Sequence, residues 1–156
     1  MLITSVNNER VKNLSKLHLK KYRDIENSFL IEGDHLIEEA LKKSLVKEIF
    51  LLDGESNPFD FDNVTYVTKE VMDKLSEQDS SSNMIALCDY LNNCNIGNKV
   101  LLLDGLQDPG NVGTIIRSAV AFGFDIVLGN NTVDIYNSKT IRSTEGMIFN
   151  VNYISK

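Results

Sequence analysis

Cysteine is scarce, two residues in a chain of 156. Five residues separate Cys88 from Cys94, a gap that matches no metal-binding or redox motif. Both are read as reduced thiols of a cytoplasmic protein. Apolar runs are short, and none approaches the roughly 20 residues that a membrane span needs. The opening stretch "MLITSVNNERVKNL" lacks the apolar segment and cleavage site of an export signal. Internal repeats and low-complexity stretches are missing too. So are the G-x-G-x-x-G order of a dinucleotide fingerprint and the G-K-[ST] of a phosphate-binding loop, which disfavours dehydrogenases and kinases. What remains has the make-up of a folded domain, 42% hydrophobic and 24% charged.

A net charge of −6 argues at first against a nucleic-acid partner. Its distribution argues otherwise. Residues 1–23 hold Arg10, Lys12, Lys16, Lys20, Lys21 and Arg23 against the single acid Glu9, whereas residues 24–156 carry a net −11. A basic N-terminal arm thus precedes an acidic body. "NNERVKNLSKLHLKKYRDIEN" reads as one amphipathic helix, with Val11, Leu14, His18 and Tyr22 on its apolar side and Lys12, Lys16, Lys20 and Arg23 in a stripe on another. The stripe is either a solvated face or a phosphate-facing one, since cationic contacts with the backbone dominate affinity for RNA. His18 is expected to pack in the core.

Alternating elements follow. "SFLIEG", "VKEIFLL", "NVTYVT" and "NMIALCDY" read as strands, and "DHLIEEALKKS" and "KEVMDKLSE" as helices, which indicates an α/β layer fold. His35 and Glu38 stand three apart with no second cluster to complete a metal site, so no metal is expected and Glu38 and Glu39 are read as surface acids. Residues 93–98, within the polar "NNCNIGN", are the expected linker between a domain over 1–92 and a second over 99–156. Beyond it, "KVLLLDG" reads as a strand buried on both faces. The helix "VGTIIRSAVAF", the strand "FDIVLG", a helix around "NSKTIRST" and the strand "IFNVNYIS" complete a β-α-β-α-β run.

Between that first strand and helix lies Asp108-Pro109-Gly110-Asn111. Pro109 presets φ and Gly110 can supply a positive φ, as a type II turn requires, and Asn111 is the expected N-cap. Along the helix, Val112, Ile115, Ile116, Ala119 and Val120 form the apolar side. Gly113 and Arg117, four apart, lie together off its centre. Gly113 would bare the backbone beside the guanidinium, so that a ligand could approach. Alternatively, Arg117 reaches solvent or pairs with Asp104 or Asp108. Spacing alone leaves both readings open.

"DGLQDPGNVGTIIRSAVAFGFDIVLG" resembles the first motif of the SpoU (TrmH-type) RNA ribose methyltransferases, Asp-x-x-x-Asp-Pro-x-Asn-x-Gly-x-x-x-Arg followed by an Ala-rich helix ending in Phe-Gly. Asp104, Asp108, Pro109, Asn111, Gly113, Arg117, Ala119, Ala121, Phe122 and Gly123 match it. "VDIYNSKTIRSTEGMIF" resembles the segment that follows, through Tyr136, Asn137, Lys139, Arg142, Ser143 and Gly146. "KLHLKKYRD" and "FLIEGDHLIEEAL" resemble the family's N-terminal substrate-binding domain.

The resemblance implies an α/β protein: a small α/β/α RNA-binding domain, then the first β-α-β-α-β part of a parallel-sheet, trefoil-knot methyltransferase domain, truncated before the knot. It further implies a dimer that moves a methyl group from S-adenosylmethionine to a ribose 2′-hydroxyl of RNA, ribosomal RNA above all. Asn111 and Arg117 carry over as catalytic residues. Lys12, Lys16, Lys20, Arg23, Arg142 and Ser143 are the expected RNA contacts. The family's later motifs, which cradle the methyl donor, have no counterpart in residues 1–156, so the donor site is expected outside this sequence and the chain by itself is expected to be inactive. Two other readings stay open: a non-catalytic module for structured RNA, and a dimerisation fragment in which "MIFNVNYIS" pairs with another chain's sheet edge.

Overall fold

The computed structural model describes residues 1–92 and 95–155. Asn93 and Cys94, in the expected linker, and Lys156 lie outside the described residues. The chain divides into two compact units, Met1–Tyr90 and Leu91–Lys156.

The first unit is a mixed five-stranded sheet between helices. Its strands are β1 (Leu2–Ile3), β2 (Ser28–Glu32), β3 (Val46–Leu52), β4 (Val64–Val67) and β5 (Met84–Asp89), in the order β1-β4-β3-β5-β2. β1, β4 and β3 run parallel; β5 is antiparallel to both β3 and β2. Strand alternation sends successive side chains to opposite faces. One face, with Phe50, Val67 and Ile85, packs against Val11, Leu14 and Leu17 and against Val71, Met72 and Leu75. These come from α1 (Glu9–Ser15), the 3-10 turn Lys16–His18 and α4 (Lys69–Leu75). On strands β2, β3 and β5 packs α3 (Asp34–Lys42), which buries Leu36, Ile37 and Ala40. Each such fully buried aliphatic side chain stabilises the fold by about 1.5–3 kcal/mol. Cys88 is buried in β5, and burial, with Asp89 beside it, pushes its thiol far above the ordinary range. This unit is the α/β layer arrangement expected from the alternation, in the α/β/α form that the resemblance implied.

The expected single basic helix is broken. α1 and the 3-10 turn end at Leu19, which is extended (φ −105°, ψ 132°), and α2 (Lys20–Glu26) starts anew. Helix ends leave carbonyls without partners. Here a buried arginine supplies donors: Arg23 Nη1 donates to the carbonyls of Leu17 (2.9 Å) and His18 (3.0 Å). His18, half-buried as a core histidine would be, donates from Nε2 to the Leu75 carbonyl at 2.8 Å.

The second unit is a parallel sheet, β6 (Val100–Leu103), β7 (Asp125–Leu128) and β8 (Tyr153–Ser155) in that order, with α5 (Pro109–Phe122) and α6 (Ser138–Ser143). Two expectations change here. Leu103 is buried, whereas Val100 and Leu102 are 38% and 65% exposed, so β6 is covered on one face and not on both. "IFNVNYIS" is not one strand. Gly146 (φ 88°) opens a 3-10 turn over Met147–Asn150 that buries Ile148 and Phe149, and the strand starts only at Tyr153. Asn95 and Gly97, from the expected linker, bond to this unit: the Asn95 carbonyl accepts from Asn152, and the Gly97 amide donates to Asp125. Among the described residues, no helix is long and apolar enough to cross a membrane.

Candidate functional site

The helix that carries Arg117 begins earlier than its sequence suggests. Asp108, not Asn111, is the N-cap: its carboxylate accepts from the amides of Gly110 (2.9 Å) and Asn111 (3.3 Å). Pro109 takes the first helical position, where its fixed φ fits and its missing N–H costs nothing. Gly110 is therefore helical rather than the positive-φ corner of a turn, and Asn111 is an exposed residue of the first turn. Asn111 and Arg117 are six positions apart, about 9 Å along the axis and about 120° around it. The helix does not bring those two side chains to one point.

Gly113 serves helix packing. A Cβ there would lie 2.4 Å from Ser143 Cβ and 2.5 Å from the Thr140 carbonyl oxygen. The bare backbone expected to face a ligand is covered by α6, and glycine is what allows the two helices to approach so closely. Val112, Ile116 and Ala119 form the buried face as expected.

Arg117 lies off that face with its side chain 52% exposed, and Nη1 is 3.2 Å from Glu145 Oε1, itself 63% exposed. Its partner is thus neither Asp104 nor Asp108: Asp108 caps α5, and Asp104 lies against Gly129. An ion pair this exposed is worth at most about 1 kcal/mol, so an anionic ligand can displace Glu145 at little cost. Glu145, 28 positions away, gave no signal in the sequence. It reaches Arg117 because it sits in the left-handed region (φ 50°) just before Gly146, where the chain turns after α6.

Asn137 caps α6, accepting from the amides of Lys139 (2.9 Å) and Thr140 (3.4 Å). Arg142 is exposed, and Ser143 Oγ donates to the Lys139 carbonyl at 2.9 Å. Arg142, Ser143 and Lys139 line a cleft of about 380 Å³ with Asp108, Pro109 and Gly110. The structure thus joins Arg142 and Ser143 to the first turn of α5 rather than to Arg117. Lys139 was missed as a lining residue, although its place three before Arg142 puts both on one helix face.

In the first unit the basic stripe is dispersed. Lys12 and Lys16 are exposed before the break. Lys20 pairs with Asp24 at 2.6 Å. Arg23 is 6% exposed and bound to backbone carbonyls, which removes it from the RNA-contact set. Asp24 accepts from Tyr90 as well. Burial pushes its carboxyl up, but the hydrogen bonds from Lys20 and Tyr90, with the nearby positive charges, outweigh that and hold it below the ordinary range.

Comparison with known proteins sets these features in a family. The model of the MRM3-like substrate binding domain matches residues 8–86, and that of the SpoU rRNA Methylase family matches residues 98–156. The 23S rRNA (guanosine(2553)-2′-O)-methyltransferase RlmP of Bacillus subtilis (strain 168) is 40% identical over 99% of this chain and 64% of its own length. A crystal structure of an RNA 2′-O ribose methyltransferase superposes with a TM-score of 0.78 at 32% identity, over 100% of this chain and 66% of that one. The AdoMet-bound rRNA methyltransferase from Sinorhizobium meliloti gives 0.82 at 27% identity, over 99% and 64%. The chain therefore spans just under two thirds of the length of these relatives. It belongs to the SpoU/TrmH-type RNA methyltransferase family, with an MRM3-like substrate-binding domain preceding its SpoU part.

Proposed function

We propose that this chain supplies the RNA-recognising and ribose-handling part of a methyltransferase that transfers the methyl group of S-adenosylmethionine to a ribose 2′-hydroxyl, with ribosomal RNA as substrate. The observation that carries this reading is Arg117: a half-exposed guanidinium on an otherwise uncharged helix, tied to a surface carboxylate at 3.2 Å. The names of the relatives, rRNA 2′-O-methyltransferases among them, point the same way.

A guanidinium offers hydrogen-bond donors and no acceptor, so Arg117 does not serve as the base. It donates charge-assisted hydrogen bonds to a backbone phosphate and to the ribose oxygen. That lowers the cost of the alkoxide that develops there, while the proton passes to a neighbouring phosphate oxygen. Holding the hydroxyl in line with the methyl group contributes further rate. Asn111, exposed in the first turn of α5, is proposed to contact the RNA at a point separate from Arg117. Lys139, Arg142 and Ser143 receive a second phosphate in their cleft.

That cleft does not fit the methyl donor. S-adenosylmethionine carries a sulfonium cation, and Lys139 and Arg142 would repel it. We infer that residues 1–156 by themselves do not hold the donor. We further propose that the protein acts as a homodimer in the cytoplasm. Calorimetric titration tests the division of labour: the chain should bind a ribosomal RNA hairpin and give no heat with S-adenosylmethionine. Clear donor binding would show that the cationic cleft had been misjudged. The same cleft favours a second reading, a non-catalytic RNA-binding module. Methyl transfer by the protein carrying residues 1–156 would eliminate that alternative.

A further inference from the structure

A cavity of about 480 Å³ opens on the first unit where α1, the 3-10 turn and α2 cross strands β2, β3 and β5. Its size lies within the roughly 300–1,000 Å³ of sites that enclose small ligands. Leu17 and Leu87 give it an apolar floor, Tyr22 an aromatic wall, and Arg10, Lys16 and Lys47 a cationic rim. Glu26 is its one carboxylate. Arg10 is engaged with buried Glu48. Lys47 lies 3.5 Å from Asp89 in an exposed pair worth little. Lys16 sits 5.6 Å from the centre of the Tyr22 ring. At the lip Ile25 is 69% exposed, a large apolar side chain left in water.

We propose that this cavity receives a single unstacked nucleotide of the RNA, its base between the leucine floor and Tyr22 and its phosphate on Lys16 and Lys47. The inference rests on the RNA-binding reading above and adds the place and form of recognition. An aromatic ring beside flexible cations is the combination that holds a splayed base, because every base has a π-face and every nucleotide a phosphate. A purely apolar partner would leave the lysines without a role, and paired RNA would offer the floor no base. The break at Leu19 makes the cavity, since a continuous helix would not bring Tyr22 and Lys16 round the same opening.

The test uses the whole chain and two fluorescein-labelled RNAs in 50 mM salt: a hairpin with an eight-uridine loop, and a fully paired hairpin closed by a four-nucleotide loop. Anisotropy is read for wild type, Ile25→Trp, which fills the lip from an exposed position, and Tyr22→Ala, which removes the wall. A 4-thiouridine in the large loop, crosslinked and mapped by mass spectrometry, reports the contact. The expected result is crosslinking to residues around Tyr22 and Ile25, and loss of about fivefold or more in affinity for the large-loop RNA in both variants, with the paired RNA unaffected. If wild type and both variants bind the large-loop RNA equally, the cavity is not the site, and the RNA-binding reading stands without it. If neither RNA binds wild type, both readings fall.

Discussion

Replacing Gly113 by alanine should force α5 and α6 apart. Helix propensity alone favours the change by about 1 kcal/mol, because alanine outperforms glycine in a helix interior. Packing opposes it. The new methyl would stand 2.4 Å from Ser143 Cβ and 2.5 Å from the Thr140 carbonyl oxygen, and neither atom lies at the end of a flexible side chain that could swing away. Overpacking of this kind costs about 1–3 kcal/mol, and contacts so short belong at the upper end. The net is a loss of about 1–2 kcal/mol in the second unit. Hydrogen exchange read by mass spectrometry localises it: α5 and α6 peptides should exchange about 5–30 times faster, with β3 and β5 peptides unchanged. Gly110→Ala is the control. Its methyl would meet Asp108 Oδ1 at 3.3 Å and Ser143 Oγ at 3.8 Å, contacts that a slight shift relieves, so its effect should stay within about 0.5 kcal/mol. Wild-type or slower exchange in α5 and α6 of the Gly113 variant would refute the assignment of this glycine to helix packing.

Three further predictions concern the first unit. Glu48, 3% exposed, accepts from both terminal nitrogens of Arg10 and, at 2.5 Å, from Thr65, so Arg10→Ala strands a buried carboxylate and should cost about 3 kcal/mol or more in denaturant unfolding. A loss below about 1 kcal/mol would mean that the pair is solvated. Asp24 has its folded carboxyl held below the unfolded value of 3.8, so its contribution is present above that pH and lost as pH falls through the lower folded value. Asp24→Asn should accordingly flatten the fall in stability below about pH 4, and an unchanged acid limb in a series of thermal melts would contradict this. Lys12→Glu and Lys16→Glu should each reduce the salt slope of RNA binding by about one, whereas Arg23→Gln should unfold the turn at Leu19 before it changes that slope; equal slopes in all variants would remove the basic arm from the interface.

Strands β2 to β5 were legible because their signal is local. "VKEIFLL" is β3 residue for residue, and "DHLIEEALKKS" contains α3 with its three buried positions. β1 was not legible, since two residues show no period. The break at Leu19 was hidden because Leu, His and Lys all suit a helix; the bonds that sustain it come from Arg23, four residues on, and from Leu75 in another helix. The start of α5 could have been read correctly: an Asp followed by Pro at the first position is as strong a helix opening as Asn111. Gly113 could not. A small residue beside an arginine looks the same whether a ligand or a second helix approaches, and only the placement of α6 decides. Arg117 stood out through its motif, while Glu145 and the cavity around Tyr22 depend on contacts across the fold.

The location of the transferred methyl group tests the proposed chemistry most directly. Ribosomal RNA would be treated with tritiated S-adenosylmethionine and the protein carrying residues 1–156, or its Arg117→Ala variant, and then hydrolysed in alkali. The predicted result is label in alkali-resistant dinucleotides, reduced about a hundredfold or more in the variant. Label on bases, or an Arg117→Ala protein with substantial activity, would contradict it.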